Sequence, residues 1–306
     1  MRVLITGGAG YLGTELAILL NKDAEVKEIV IYDNLSRNNY NLFLHSGIKG
    51  NKIKFVKGDL LDSRKLQSIL KDIDVVYHLA ACQSNSNTEM EHHMHEQVNN
   101  WGTAELVYAI EESDVKQLIH LSSTSVYGYS DQEVNIESIP APKTSLANSL
   151  LRGEKHSERI MNRINTQIIR CGKLFGFGTS LQSDSVLNRF VLEANFGGRL
   201  SIEGNGNQKR PFISIEKAAK ALANLLHQKV ESGIFNLVEH NLSLMDIVEK
   251  LQILYPDMEM VFTNNHLELP SLSVKQDERL TLEGNTQSFE EELKEFKASL
   301  CSFKTE

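Results

Sequence analysis

The chain has 306 residues, with 32 Lys+Arg against 40 Asp+Glu, a formal charge of −8, and 41% hydrophobic to 24% charged residues. That is globular composition, rich enough in apolar residues to exclude a disordered chain, and no run of about 18 apolar residues offers a membrane span. The acidic balance removes the general electrostatic case for nucleic acid, so neither a nucleic-acid nor a membrane partner is expected.

The opening MRVLITGGAG is a strand running into glycines and lacks a signal peptide's charged head, apolar run and small-residue cleavage site. Three cysteines, Cys82, Cys171 and Cys301, stand far apart with no pairing or metal spacing. Reduced thiols in a cytoplasmic protein are therefore expected.

In chain order, short apolar runs predict strands at Arg2–Thr6, Glu28–Tyr32, Lys52–Val56, Asp74–Leu79 and Lys116–Leu121. Helical periodicity falls between them, at Tyr11–Asn21, Ser63–Lys71 and Val98–Glu112. Strands alternating with helices make βαβ units and a parallel sheet covered on both faces. A longer helix is expected over Ser145–Arg163, then a strand at Thr166–Arg170 and a helix around Ser185–Ala194. Strand-to-helix segments return at Pro211–Val230 and Gly233–Leu254, and a charged helix is expected near Phe289–Leu300. No internal repeat is evident.

The first strand ends in T-G-G-A-G-Y-L-G, which puts Gly7, Gly10, Tyr11, Leu12 and Gly13 at a strand-to-helix turn. The G-x-x-G-x-x-G spacing is a variant of the dinucleotide fingerprint: glycine permits the turn and brings backbone N–H groups close to a pyrophosphate at a helix N-terminus. Asp33 lies 20 residues beyond Gly13 at the end of the second strand, where a carboxylate binds ribose hydroxyls. Its charge would repel a 2′-phosphate, so NAD is favoured over NADP.

Further motifs follow in order. Gly58-Asp59-Leu60 follows the third strand, His78-Leu79-Ala80-Ala81 ends the fourth, Asn99 precedes Gly102-Thr103, and Ser122–Gly128 follows the fifth. Together these resemble the extended short-chain dehydrogenase/reductase superfamily, and within it the NAD-dependent nucleotide-sugar epimerases and dehydratases, from Met1 to about Val238. The resemblance implies an α/β fold: a Rossmann-type doubly wound parallel sheet with a smaller, discontinuous C-terminal substrate domain. Residues 1–171 and about 211–237 would bind NAD, and about 172–210 and 238–306 would form the substrate part. Asp59 and Leu60 would flank the adenine, Ala80 and Ala81 would line the cofactor groove, and Asn99 joins the cofactor set.

On the substrate side, Arg170-Cys171-Gly172-Lys173-Leu174-Phe175-Gly176 sits where relatives carry Arg-x-x-Asn-x-Tyr-Gly. Lys173 thus replaces a common asparagine. By the same resemblance Asn188 would contact the nucleotide diphosphate region, and Arg210 would pair with the diphosphate as an arginine fork can. A homodimer through the helices Val98–Glu112 and Ser145–Arg163 is the family expectation, although the same apolar residues could serve a monomer's core.

The family's chemistry uses a tyrosine and a lysine four residues apart on the long helix, with a Ser or Thr at the end of the fifth strand; the last role falls to Ser123. Pro142, Ser149 and Glu154 set the helix register, which places Leu146 at the tyrosine and Leu150 at the lysine. No tyrosine in the chain has a lysine four residues on. Thr124 and Ser125 occupy the dehydratase Asp-Glu pair, which disfavours a 4,6-dehydratase. Lys143, Lys155, Tyr127, Cys82 and His120 are the reactive types nearby. The run Glu91-His92-His93-Met94-His95-Glu96 matches no strong zinc spacing, so it reads as a solvated polar loop and no metal site is expected. Two readings remain open: a sugar-nucleotide enzyme with altered acid–base groups, or a non-catalytic protein binding NAD or a sugar nucleotide.

Overall fold

In a computed structural model of the chain, residues 1–48, 50, 52–83, 88–280, 282 and 287–301 are described, the thiol of Cys301 lying outside them. The first half builds strands β1 (Arg2–Thr6), β2 (Glu28–Asp33), β3 (Ile53–Lys57), β4 (Val75–His78), β5 (Gln117–Ser123) and β6 (Asn165–Cys171). Helices α1 (Tyr11–Lys22), α2 (Ser63–Leu70), α3 (Glu89–His95), α4 (Thr103–Glu111) and α5 (Ser145–Glu158) connect them. The second half adds β7 (Lys173–Phe175), α6 (Val186–Leu192), β8 (Arg199–Glu203), β9 (Lys209–Ser214), α7 (Ile215–Asn224), β10 (Gly233–Leu237), β11 (His240–Ser243), α8 (Leu244–Leu254), β12 (Glu259–Thr263) and α9 (Phe289–Cys301).

Seven strands form one parallel sheet in the order β10-β6-β5-β4-β1-β2-β3. The fold is thus the expected α/β Rossmann-like sheet. Helices α1 and α7 bury their apolar stripes on one face, with Leu16, Leu20, Ala218 and Leu222 in a single core cluster. On the other face α2 and α4 contribute Leu66, Leu70, Leu106 and Ile110 to a second. Chain order reverses between β1 and β4, which opens a crevice outside their C-terminal ends.

A smaller mixed sheet, β11-β9-β7, and the pair β12-β8 pack with α6, α8 and α9 around Phe190, Phe212, Ile247, Leu293 and Phe296. Lys217 on α7 pairs with Glu239 and, at 2.9 Å, with Glu292 on α9, while His240 lies 3.3 Å from Glu292. Although burial opposes it, the two carboxylates raise the His240 pKa to about 9. The only His/Glu trio among the described residues close enough to hold a metal, Glu239-His240-Glu292, is therefore an ion cluster satisfied by Lys217.

Two sequence expectations are corrected. Residues 91–96 form part of a helix, not a solvated loop: the Thr88 side chain accepts from Glu91 N and starts α3, which passes into a π-helical turn over Glu96–Gly102. The helix expected over Ser145–Arg163 ends at Glu158 and continues as turns.

Helix α5 is fixed to the sheet by a buried ion pair. Arg170 on β6 donates to Glu154 at 2.7 Å, and Ser122 on β5 donates to the same carboxylate at 2.5 Å. The guanidinium lies over the Tyr127 ring, whose hydroxyl donates to Asn236 on β10 at 2.8 Å. Glu154 and Arg170 are 0% and 3% exposed, so removing one partner strands the other charge out of water. Glu154→Ala is expected to lower stability by about 3–5 kcal/mol, read by denaturant unfolding; a loss below about 1 kcal/mol would show that the pair does not hold α5.

Candidate functional site

Two adjoining cavities occupy the C-terminal edge of the sheet. The first, of about 360 Å³, is lined by Gly7, Gly10, Tyr11, Leu12, Gly13, Asp33, Asp59, Leu60, Ala80 and Ala81, among others. These are all the residues expected around NAD except Asn99. Gly7 has φ +70°, and a Cβ there would lie 2.6 Å from Ala80 N, so the turn leaves no room for a side chain. At Gly13 a Cβ would lie 2.6 Å from Gly8 Cα, so glycine lets the helix pack on the turn. Gly10 at the N-cap offers no side-chain acceptor, which leaves the first-turn N–H groups of α1 for an anion.

Asp33 is held in place: its carboxylate accepts from Ala9 N at 3.0 Å and from Leu35 N at 2.8 Å. Further acceptor capacity remains toward the cavity, as binding ribose hydroxyls requires. A glycine cradle, an uncapped helix start and a fixed carboxylate fit a dinucleotide. Arg37, Ser36 and Met94 also line this cavity and carried no sequence signal, since loop polar residues and a methionine amid histidines read as surface.

Asn99 lies behind the wall, 2% exposed. Its Oδ1 accepts from Cys82 N at 2.8 Å, and its Nδ2 donates to Cys82 O and Ser149 Oγ, both at 3.0 Å. It positions the segment after Ala81 and ties it to α5 rather than facing the cavity. Asn188 is likewise fully buried, accepting from Gly176 N at 3.0 Å and donating to Gln182 O at 2.9 Å. Gln182 lies on the wall shared by the two cavities. Tyr11 reaches the same partition by donating to Gly176 O.

The second cavity, of about 400 Å³, brings together Ser123, Leu146, Leu150, Lys173 and Arg210, with Ser125, Lys143, Tyr129 and Arg189. Ser123 Oγ accepts from Ser125 N at 3.2 Å, which leaves its hydrogen available to a ligand. Ser125 Oγ is buried without a hydrogen-bond partner, a group a polar ligand would satisfy. Leu150, 4% exposed, packs with Val126, Tyr127, Val238, Leu272 and Val274, and Leu146 packs against the same cluster. Arg210 donates to the carbonyls of Lys209 and Pro270, both at 2.7 Å. Desolvation within the cleft and the charge of Arg210 lower the Lys173 pKa.

The other reactive types fall elsewhere. Lys155 is absent from both linings, and Tyr127 and His120 are buried. His92, His93 and His95 do not converge; His95 Nδ1 is 2.9 Å from Ser145 Oγ.

These features match a known family. The model for the NAD dependent epimerase/dehydratase family covers residues 3–237. The chain belongs to that family. NAD, expected from the glycine turn and Asp33, is the family's cofactor. Among curated relatives, dTDP-D-glucose 4,6-dehydratase of Dictyostelium discoideum is 25% identical over 265 residues, covering 82% of this chain and 61% of that protein. The Mus musculus enzyme of the same name is 27% identical over 254 residues, covering 82% and 72%. The chain thus spans about three-fifths to three-quarters of the length of these relatives.

The solved structure of UDP-glucuronic acid 4-epimerase from Bacillus cereus, with UDP-glucuronic acid and NAD, superposes with TM-score 0.86 at 24% identity. It is covered completely by 99% of this chain. DesIV, a dTDP-glucose 4,6-dehydratase from Streptomyces venezuelae with NAD bound, gives 0.85 at 20% identity, with 99% and 97% covered. These structures share the fold. No helix among the described residues is long and apolar enough to cross a membrane.

A buried polar chain runs behind both cavities. Thr103 Oγ1 donates to Asn99 O at 2.7 Å, so it accepts from His78 Nε2 at 2.9 Å, which leaves His78 Nδ1 to accept from Thr6 Oγ1 at 2.8 Å. This assigns His78 as neutral, and burial lowers its pKa to about 4. The His120 ring, 4.9 Å away, is likewise held well below the ordinary histidine value by desolvation and by its neighbours. Unfolding returns both rings to water, where they bind protons below about pH 6.5. Their neutral burial therefore contributes fully above that pH and is lost as pH falls. Stability is expected to drop by about 3 kcal/mol for His78 alone between about pH 6.5 and 4. Denaturant unfolding across this range checks it; the slope should flatten in His78→Gln, and an unchanged slope would contradict the assignment.

Proposed function

We propose that this chain holds NAD in the first cavity and a nucleoside-diphosphate sugar in the second, and lacks its family's ordinary proton-transfer pair, so that sugar turnover is altered or lost. Leu146 and Leu150 on the wall of the second cavity, beside Ser123, carry this reading. By the motif register, relatives place a tyrosine and a lysine at these two positions. NAD, held by Asp33 and the first turn of α1, would supply a reversible hydride acceptor for a sugar carbon.

The chain's own residues do the rest. Asp33 orients the adenosine ribose, and the first turn of α1 binds the pyrophosphate. Ser123 donates to a sugar hydroxyl, and Lys173 and Arg210 bind the diphosphate. Leucine cannot exchange a proton, and loss of a positioned base costs about 10²–10⁴ in rate. Thr124, which donates to Cys171 O, and Ser125 supply no carboxylic acid for a 4,6-dehydration.

The fold-mate from Bacillus cereus holds UDP-glucuronic acid and NAD, and the curated relatives are named for dTDP-D-glucose, which supports the ligand class. A non-catalytic role as an NAD or sugar-nucleotide sensor is the second reading. It is favoured by the glycine turn and Asp33 remaining intact while both proton-transfer positions are apolar.

The double variant Leu146→Tyr/Leu150→Lys is expected to raise epimerising turnover of a nucleotide-sugar panel by about 10² or more. A folded, NAD-bound double variant no more active than the parent would contradict the proposal.

The chain is further proposed to act as a homodimer through the helical run from α3 to α4 and the neighbouring α5. Trp101 and Tyr108, 59% and 49% exposed, give that run an apolar surface beside Arg159. Sedimentation should show a dimer that Trp101→Glu dissociates; a monomeric parent would contradict this.

A further inference from the structure

The two cavities share a partition: Gln83, Leu121, Leu174 and Gln182 line both. Gln182 belongs to the segment 176–185 between β7 and α6. Asp184 and Ser185 of the same segment, then Arg189 on α6, continue the wall of the second cavity. The segment thus walls the second cavity, but several of its hydrogen bonds run to elements of the first. Gly176 O accepts from Tyr11 Oη, and Thr14 Oγ1 lies 3.0 Å from Ser180 Oγ. Thr179 N donates to Glu15 at 2.7 Å, and Thr179 O accepts from Asn41 Nδ2 at 2.9 Å. Leu181 packs against the core cluster of α1 and α7 and also against that of the smaller domain.

Thr179 is where this attachment is doubled. Helix α1 holds its N–H, and the stretch after β2 holds its carbonyl. Both elements also line the first cavity, α1 with Tyr11 and Gly13, the stretch after β2 with Ser36 and Arg37. Glu15 sits one helical turn beyond Tyr11, and Asn41 four residues beyond Arg37; neither lines either cavity. A Cβ on Gly178 would lie 2.9 Å from Tyr11 Cε2, so the segment lies against α1 with no room for a side chain between them. Thr14 and Ser180 are both buried, and separating them loses a hydrogen bond out of reach of water. A ligand bound at the first turn of α1 and at Asp33 immobilises both elements that grip Thr179. A second ligand then meets a wall already ordered, which favours its binding. By linkage the effect is mutual.

We infer that Glu15 and Asn41 are positioning residues for the second cavity: gripping Thr179 from two sides, they transmit NAD occupancy of the first cavity to the wall of the second, so that NAD and a nucleoside diphosphate bind with positive coupling. This inference rests on the proposed contents of the two cavities. Glu15 and Asn41 act through Thr179 and reach neither ligand themselves. Their removal therefore changes how far one ligand's affinity depends on the other, and leaves the cofactor site's own contacts in place. Coupling between two sites is typically worth about fivefold or more in affinity.

The test is calorimetric titration of the full chain with UDP, with and without saturating NAD, repeated with Glu15→Ala, Asn41→Ala and Glu15→Gln. In the parent, NAD is expected to tighten UDP binding by about fivefold or more, and UDP to tighten NAD binding by the same factor. Glu15→Ala and Asn41→Ala are each expected to bring that factor below about twofold, with both ligands still bound. Glu15→Gln keeps an oxygen that can accept from Thr179 N, so it should retain the coupling; a merely destabilised fold would not be rescued in this selective way. UDP affinity indifferent to NAD in the parent, or coupling that survives both alanine variants, overturns the inference and leaves the nucleotide-sugar site standing. No binding of UDP or dTDP by a folded, NAD-bound parent overturns the site reading, and this inference with it.

Discussion

Every functional segment depends on one constraint: all seven strands of the main sheet are parallel, so their C-terminal ends lie along a single edge. Gly7 follows β1, Asp33 ends β2, Asp59 follows β3, Ala80 and Ala81 follow β4, and Ser123 ends β5. Lys173 opens the next strand after β6. Residues as far apart in the chain as Gly7 and Lys173 thereby become neighbours without any local motif joining them. The reversal of chain order between β1 and β4 splits the helices to either side of that edge and leaves the crevice open. The first cavity is thus a consequence of topology, and the glycine turn only makes it close-fitting.

Behind the edge, a buried polar chain supports the residues that line the two cavities. Thr6, His78, Thr103, Asn99 and Ser149 are linked by hydrogen bonds, ending on Leu146 O through Ser149 Oγ at 2.8 Å. The chain therefore joins the glycine turn, the segment holding Cys82 and the helix that carries Leu146 and Leu150. Buried groups of this kind are costly when unpaired, so the network fixes the relative placement of the two cavities. The leucines fit the same logic from the apolar side, since Leu150 packs against Tyr127 and Val126. Apolar side chains at these two positions thereby keep the wall of the second cavity well packed.

Much of this was legible in the sequence because the signals were local and strong. Continuous apolar runs marked the central strands, and glycine spacing with Asp33 marked the cofactor edge. The register set by Pro142, Ser149 and Glu154 singled out Leu146 and Leu150. What was missed had weak or misleading local signals. Strands β7, β8, β11 and β12 are three to five residues long and partly exposed, too short for periodicity to show. Helix α3 is hidden in a polar histidine run and starts from Thr88, one of several Ser, Asn and Thr residues there. Asn99 and Asn188 matched motif positions, but their roles as buried positioning groups depend on tertiary partners. Lys143 stood out only as a reactive type near the long helix, and Tyr129 carried no functional signal, until the second cavity gathered them.

The central claim is that the parent protein holds both ligands yet cannot run its family's proton transfer at an ordinary rate. The most direct measurement mixes the NAD-loaded parent with nucleotide sugars in excess of protein. It follows NADH absorbance and separates the sugars by chromatography that resolves epimers. The expected result is binding of both ligands with turnover at least about 10² below that of an ordinary family enzyme run in parallel. An epimerised or dehydrated sugar formed at the ordinary rate, and lost when Gly7 is replaced by valine, would contradict the claim.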